Sequence, residues 1–296
     1  AKQARARPIE TILSGPAASI VAARWMTGLD QVLVSDIGGT TTDVALIRDG
    51  KPAIDPAGAQ VGGFRTMVEA VAMRTSGLGG DSEVHLNSSG LEGGVSLGPR
   101  RVVPIALMAV EAPEVVHRAL DAQLRASTVG EYDGRFVRAM PGGSLAGLSD
   151  REAGLLARIG SLVHPLGDVL RTRLEQGALV RLLDRGLVQL SGITPSDASH
   201  VLGRLDSWDR DASEKALGVC ARRRVGSGNR LAADAQALAR MIVDQLTEQT
   251  SLTLLETVFA EEAEAFGEDP AQLARHVLLQ KARAGHRGLL ALDAGL

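Results

Sequence analysis

The stretch VLVSDIGGTTTDVALIRDG, residues 32–50, decides how the rest of the chain is read. An apolar run reaches Asp36, turns through Gly38 and Gly39, passes three threonines to Asp43, and returns to aliphatic residues before Asp49-Gly50. The β-branched content on both sides of the glycines predicts two strands, and the Asp49-Gly50 pair predicts a hairpin turn into a third. The expectation is three consecutive strands over 32–54, with the Gly38-Gly39 turn at one edge of a mixed sheet. Spacing excludes two phosphate-binding designs, because a Walker loop and a dinucleotide fingerprint both open a helix, whereas here a strand follows. Two readings remain. One is a ligand-free glycine hairpin. The other is a loop whose exposed amides, with the hydroxyls of Thr40, Thr41 and Thr42, grip phosphate while Asp36 holds a hydrated magnesium ion. Carboxylates at both ends, Asp36 and Asp43, argue for the ligand, since a carboxylate finishing an apolar strand is costly to bury without a partner.

Working outward, LSGPAASIVAARWM reads as a helix starting near Ser14, which is placed to cap it, after a short apolar stretch opened by Pro8. Residues 58–101 are rich in glycine and read as turns between short strands, with one helix expected over 65–74. The character becomes helical after Pro104. Within 149–192, Ser149 and Glu152 form a capping box, and three short helices lead into the strand LVQLSG, a winged-helix-like order. Its Leu155, Leu156, Leu179, Leu182 and Leu183 are expected to be buried together. Thr194, Pro195 and Asp197 start the next helix cleanly, and the remainder is one long helical pattern or two abutting ones. The expected division is 1–104 as a core with the phosphate loop, 105–192 as a helical insertion containing the 149–192 unit, and 193–296 as a helical continuation of the core.

Composition bounds the function. The 296 residues are 45% hydrophobic, enough for a substantial core, and 32 basic residues nearly balance 35 acidic ones. The 149–192 unit holds six arginines against five acids, too balanced to track a phosphate backbone, and aromatic residues are only 2% of the chain, so nucleic acid is not an expected partner. No apolar run is long enough for a membrane span, and one cysteine, Cys220, cannot form an internal disulfide, so a cytoplasmic setting is expected. Cys220 reads as a core thiol, the six histidines show no ligand spacing for zinc, and Trp25 and Trp208 read as packing anchors.

With these residues in view, SGPAASIVAARWMTGLDQVLVSDIGGTTTDVALIRDGKP resembles the hydantoinase/oxoprolinase family, in particular its hydantoinase A-type subunits. SGLGGDS is similar to that family's later glycine loop, and ITPSDASHVLGRL to its Thr-Asp-Ala stretch. The resemblance implies an α/β, actin-like (ribonuclease H-like) ATPase core and an ATP-dependent enzyme that opens a cyclic amide of the 5-oxoproline or hydantoin type. It implies phosphate contacts at Gly38, Gly39, Thr40, Thr41, Thr42, Gly79 and Gly80, catalytic roles for Asp36 and Asp43, and magnesium at Asp36. Three departures stand out. Asp81 replaces a family glycine, a Gly-Pro-rich segment is absent where the winged-helix-like unit stands, and neither a first phosphate loop nor an adenosine contact is found. The expectation is a middle portion that works with a missing N-terminal lobe and a second subunit. A degenerate actin-like domain with a regulatory or assembly role is the alternative. A sugar or acetate kinase-like phosphotransferase on the same scaffold is disfavoured by the Ser-Gly-Pro-Ala and Leu-Gly-Arg-Leu stretches.

Overall fold

The computed structural model describes residues 14–55, 60–61, 64–65, 70–89, 91, 93–266 and 269–283. The chain divides into two units, 1–79 with 247–293, and 80–246 with 294–296. The larger unit therefore takes in the 149–192 segment together with residues on both sides of it, and its limits differ from the compositional changes at 104 and 192. The expected apolar stretch after Pro8 lies outside the described residues.

The first unit opens with helix α1 (Ser14–Thr27) and strands β1 (Val32–Ile37), β2 (Thr42–Arg48) and β3 (Lys51–Pro52), followed by short strands β4 (Ile54–Asp55), β5 (Gln60–Val61), β6 (Phe64–Arg65), β7 (Ala70–Val71) and β8 (Arg74–Ser76). Three consecutive strands, β1 to β3, match the expectation for 32–54. β2 is central, with β1 along one edge and both β3 and β8 on the other. All these pairings are antiparallel, which corrects the expected mixed sheet. The hairpin turn is made by Asp49 at φ 50° and Gly50 at φ 71°, and the left-handed backbone at the second position favours glycine. Val34, Ala45 and Ile47 bury one sheet face against Ile20 of α1.

Two expectations fail in this unit. A helix over 65–74 is replaced by strand residues at both ends of that span, with 66–69 outside the described residues. The unpaired edge of β2 recruits Arg74–Ser76, and edge pairing outweighs the helical preference of the intervening alanines and methionines. Trp25 is 86% exposed rather than packed, because α1 turns Ile20 and Ala23 to the sheet and Trp25 away from it.

The second unit begins with the hairpin β9 (Ser82–Asn87) and β10 (Gly94–Arg101), then β11 (Val103–Pro104), α2 (Ile105–Glu111), α3 (Pro113–Arg125) and β12 (Phe136–Ala139). The expected three helices follow as α4 (Asp150–Ile159), α5 (Leu166–Val169) and α6 (Leu174–Asp184), with β13 (His164–Pro165) ahead of α5 and β14 (Val188–Gly192) after α6. Ser149 and Glu152 form the capping box. Leu155, Leu179 and Leu182 share one buried cluster, with Leu156 and Leu183 packed against it. β14 pairs with β12 and runs parallel to β11, so the strand ending the winged-helix-like order completes a mixed sheet drawn from earlier in the chain. Helices α7 (Pro195–Val201) and α8 (Arg210–Ala221) complete the unit's body. The final helical pattern is α9 (Ala235–Phe266), a single 32-residue helix, followed by α10 (Pro270–Arg283).

Candidate functional site

Asp36 stands directly opposite Asp43 across β1 and β2, and Ile37 opposite Thr42. The Gly38 amide donates to the Thr41 carbonyl at 2.9 Å, which confines the reversal to residues 38–41. Directly opposed residues share a sheet face, so the two carboxylates lie side by side at the mouth of the loop. Gly38, Gly39 and Thr40 are exposed at its tip, and Thr41 is half-buried.

The two carboxylates are held differently. Asp43 is buried and accepts the Thr75 hydroxyl at 2.5 Å and the Thr41 hydroxyl at 3.4 Å. Asp36 is half-buried, and none of the described residues bonds to its carboxylate. Like charges opposed on adjacent strands repel, so an unpaired Asp36 beside a satisfied Asp43 is a place where a cation lowers the energy. The donor set is oxygen only, and no cluster of three or more metal-ligating side chains occurs among the described residues. Magnesium retains most of its water and needs only one or two carboxylates, so the pair fits it.

Thr42 departs from its expected role. It is fully buried, and its hydroxyl donates to the Leu78 carbonyl at 2.8 Å. Lying inside β2 between β1 and β8, it ties the second glycine loop to the sheet. That bond brings Gly79 against the first loop, where a Cβ would stand 2.4 Å from the Gly38 carbonyl oxygen and 2.7 Å from the Gly39 carbonyl carbon. Only glycine permits this approach. Thr75 and Leu78, which position Asp43 and the second loop, follow directly after the span expected as a helix and act through contacts distant in sequence; the Thr-Ser pair just ahead of the glycines is the available signal.

Gly80 and Asp81 belong to the second unit. The Gly80 carbonyl accepts the Ser196 amide at 2.8 Å. The Asp81 carboxylate is buried against the Arg101 guanidinium, with Nε at 3.1 Å and Nη2 at 3.0 Å, so its charge is compensated. Downstream, TPSDASH is consumed by the fold. Asp197 accepts the amides of Ile105, Ala106 and Thr194 and the hydroxyls of Thr194 and Ser213, and complete burial still raises its pKa above the ordinary carboxylate value. His200 donates through Nδ1 to the Ser196 carbonyl and accepts the Trp208 amide at Nε2, a tautomer assigned from these bonds. Burial pushes the Cys220 thiol up to about 11, in keeping with a core residue and not a nucleophile. Among the described residues no helix is long and apolar enough to cross a membrane.

Residues 1–113 match the hydantoinase/oxoprolinase family. No curated protein matches the chain. Among solved structures, a nucleotide-free acetone carboxylase, described in connection with the mechanism of ATP-dependent acetone carboxylation, aligns with 82% of this chain and 24% of its own at 17% identity and a TM-score of 0.44. The chain thus spans about a quarter of the length of that protein.

Proposed function

We propose, from the premise that residues 1–113 are of the hydantoinase/oxoprolinase type, that this chain carries the phosphate- and magnesium-gripping part of an actin-like ATPase core. The core would serve an ATP-dependent enzyme acting on a cyclic amide of the 5-oxoproline or hydantoin class. The observation that carries the reading is the unpaired Asp36 carboxylate beside Asp43 at the mouth of an exposed glycine loop. In this reading Asp36 would hold the magnesium through water, and the amides of Gly38, Gly39 and Thr40 with the Thr40 hydroxyl would donate to phosphate oxygens, while Gly79 supports the loop from behind. Asp43, bound by Thr75 and Thr41, fixes the Thr41 hydroxyl and the local charge. The Thr42 hydroxyl is engaged by the Leu78 carbonyl and so holds the second loop. ATP, when bound, would supply its γ-phosphoryl group to the ring carbonyl oxygen with ADP leaving; water would then add to the activated carbon, the ring C–N bond would break, and phosphate would be released.

Calorimetric titration of magnesium-ATP into the chain tests the reading. Weak, magnesium-dependent binding is expected, since the loop is one part of a nucleotide site. Asp36→Ala removes the magnesium dependence, and Thr40→Val weakens binding by about 1 to 2 kcal/mol, one hydrogen bond to a charged group. Binding indifferent to magnesium and to both substitutions would make the loop a structural hairpin. No binding by a folded chain would favour a degenerate domain with an assembly role.

A further inference from the structure

The second unit contains a cavity of about 180 Å³ between β9, β14, the turn at 131–135 and the end of α8. We propose that it is a binding site for a small monocarboxylate, held by Arg223 and Ser191. This site lies within the second unit and does not depend on the nucleotide reading. Ser191 lines the cavity, is fully buried, and its hydroxyl has no partner. Arg223 lines it too, and its buried Nε–H is likewise unpartnered.

The unused bonding capacity in this wall is donor capacity. The wall carboxylates already have donors: Glu83 is paired with Arg135 at 2.8 Å, Asp133 accepts the Gly130 amide at 2.7 Å, and Glu131 accepts the Gln176 side-chain amide at 3.2 Å. Arg223 is tied only to backbone, donating through Nη2 to the carbonyls of Glu131 at 2.8 Å and Gly130 at 3.2 Å, and among the described residues no carboxylate pairs with it. A half-buried guanidinium without a counter-ion favours an anion that accepts from Nε–H and from a neighbouring hydroxyl. Three wall carboxylates against two arginines leave an excess of negative charge that opposes anion entry and bars a dianion, so a monocarboxylate must gain its place from the unused Nε–H and hydroxyl donors. A cavity of about 150 Å³ admits benzene, so this one suits a ligand of about six heavy atoms.

The test is a thermal-unfolding and calorimetric titration of the full chain with sodium acetate at constant ionic strength, against acetamide and inorganic phosphate. Acetate is expected to bind saturably and raise the unfolding temperature, while acetamide and phosphate do not. Arg223→Met should weaken acetate binding about tenfold or more, the loss of a charged hydrogen bond. Because Arg223 also braces two carbonyls, Ser191→Ala provides the second variant. It removes no bond present in the structure, so unfolding without acetate should be unchanged while acetate affinity falls several-fold. An equal response to acetamide, an acetate response unaltered in both variants, or no saturable response to acetate would each overturn the proposal and leave a cavity filled by water.

Discussion

Asp36 and Asp43 are the same residue type at mirror positions of one hairpin, and their substitutions should have opposite signatures. Asp43→Ala strips the acceptor from the Thr75 and Thr41 hydroxyls in a buried setting, so thermal unfolding should show a loss of about 1 to 3 kcal/mol. Asp36→Ala removes a carboxylate that bonds to no described residue and relieves repulsion across the pair, so stability should stay level or rise. Equal losses in both variants would mean that Asp36 is a structural residue. The backbone part of this site was legible in the sequence, because two glycines between β-branched runs fix where the chain reverses. The division of labour among the threonines was not. Thr40, Thr41 and Thr42 are adjacent and chemically alike, and what separates them is the register that sends Thr42 inward to Leu78, a contact across 36 residues. Gly79 is a similar case: its need for hydrogen in place of a side chain comes from the Gly38-Gly39 backbone behind it, which no local pattern displays.

Among the elements, the helices with caps were the most legible, since a capping box acts within three residues and is written in consecutive sequence. The junction between α5 and α6 adds a feature that periodicity could not supply. Glu175, in the first turn of α6, accepts from Arg158 of α4 and from the amides of Arg171 and Thr172, and these bonds lower its pKa from 4.5 to about 2. A lowered carboxylate pKa stabilises the fold above the unfolded value and loses that contribution as pH falls through the folded one. Urea unfolding between pH 6 and 2 should therefore show stability declining from about pH 4.5 downward, and Glu175→Gln should flatten that part of the profile. An unchanged slope in the variant would assign the acid sensitivity to other carboxylates. Short strands were the least legible elements: β7 and β8 exist because β4 and β2 offer edges, and their own residues carry no strand pattern.

On the scale of the whole molecule, the chain leaves its first unit after Gly79 and returns to it within α9, at Thr247. Composition could mark neither point. Gly79 sits in a run of glycines with many equivalent places to divide, and α9 continues unbroken from Ala235 to Phe266, with no turn residue at the return. The chain's two tryptophans fall one to each unit: Trp25 stands open to solvent on α1, and Trp208 stacks on the buried His200 ring with centroids 5.5 Å apart. Each is thus a built-in optical probe of a different part of the molecule. Trp25→Phe leaves an emission reporting on the second unit alone, which shifts to the red as that unit melts, while Trp208→Phe leaves a red-shifted, water-exposed signal from the first. Nucleotide added to the loop should move the melting seen by Trp25, and acetate should move the melting seen by Trp208, so one fluorimeter can tell which half of the chain a ligand has entered.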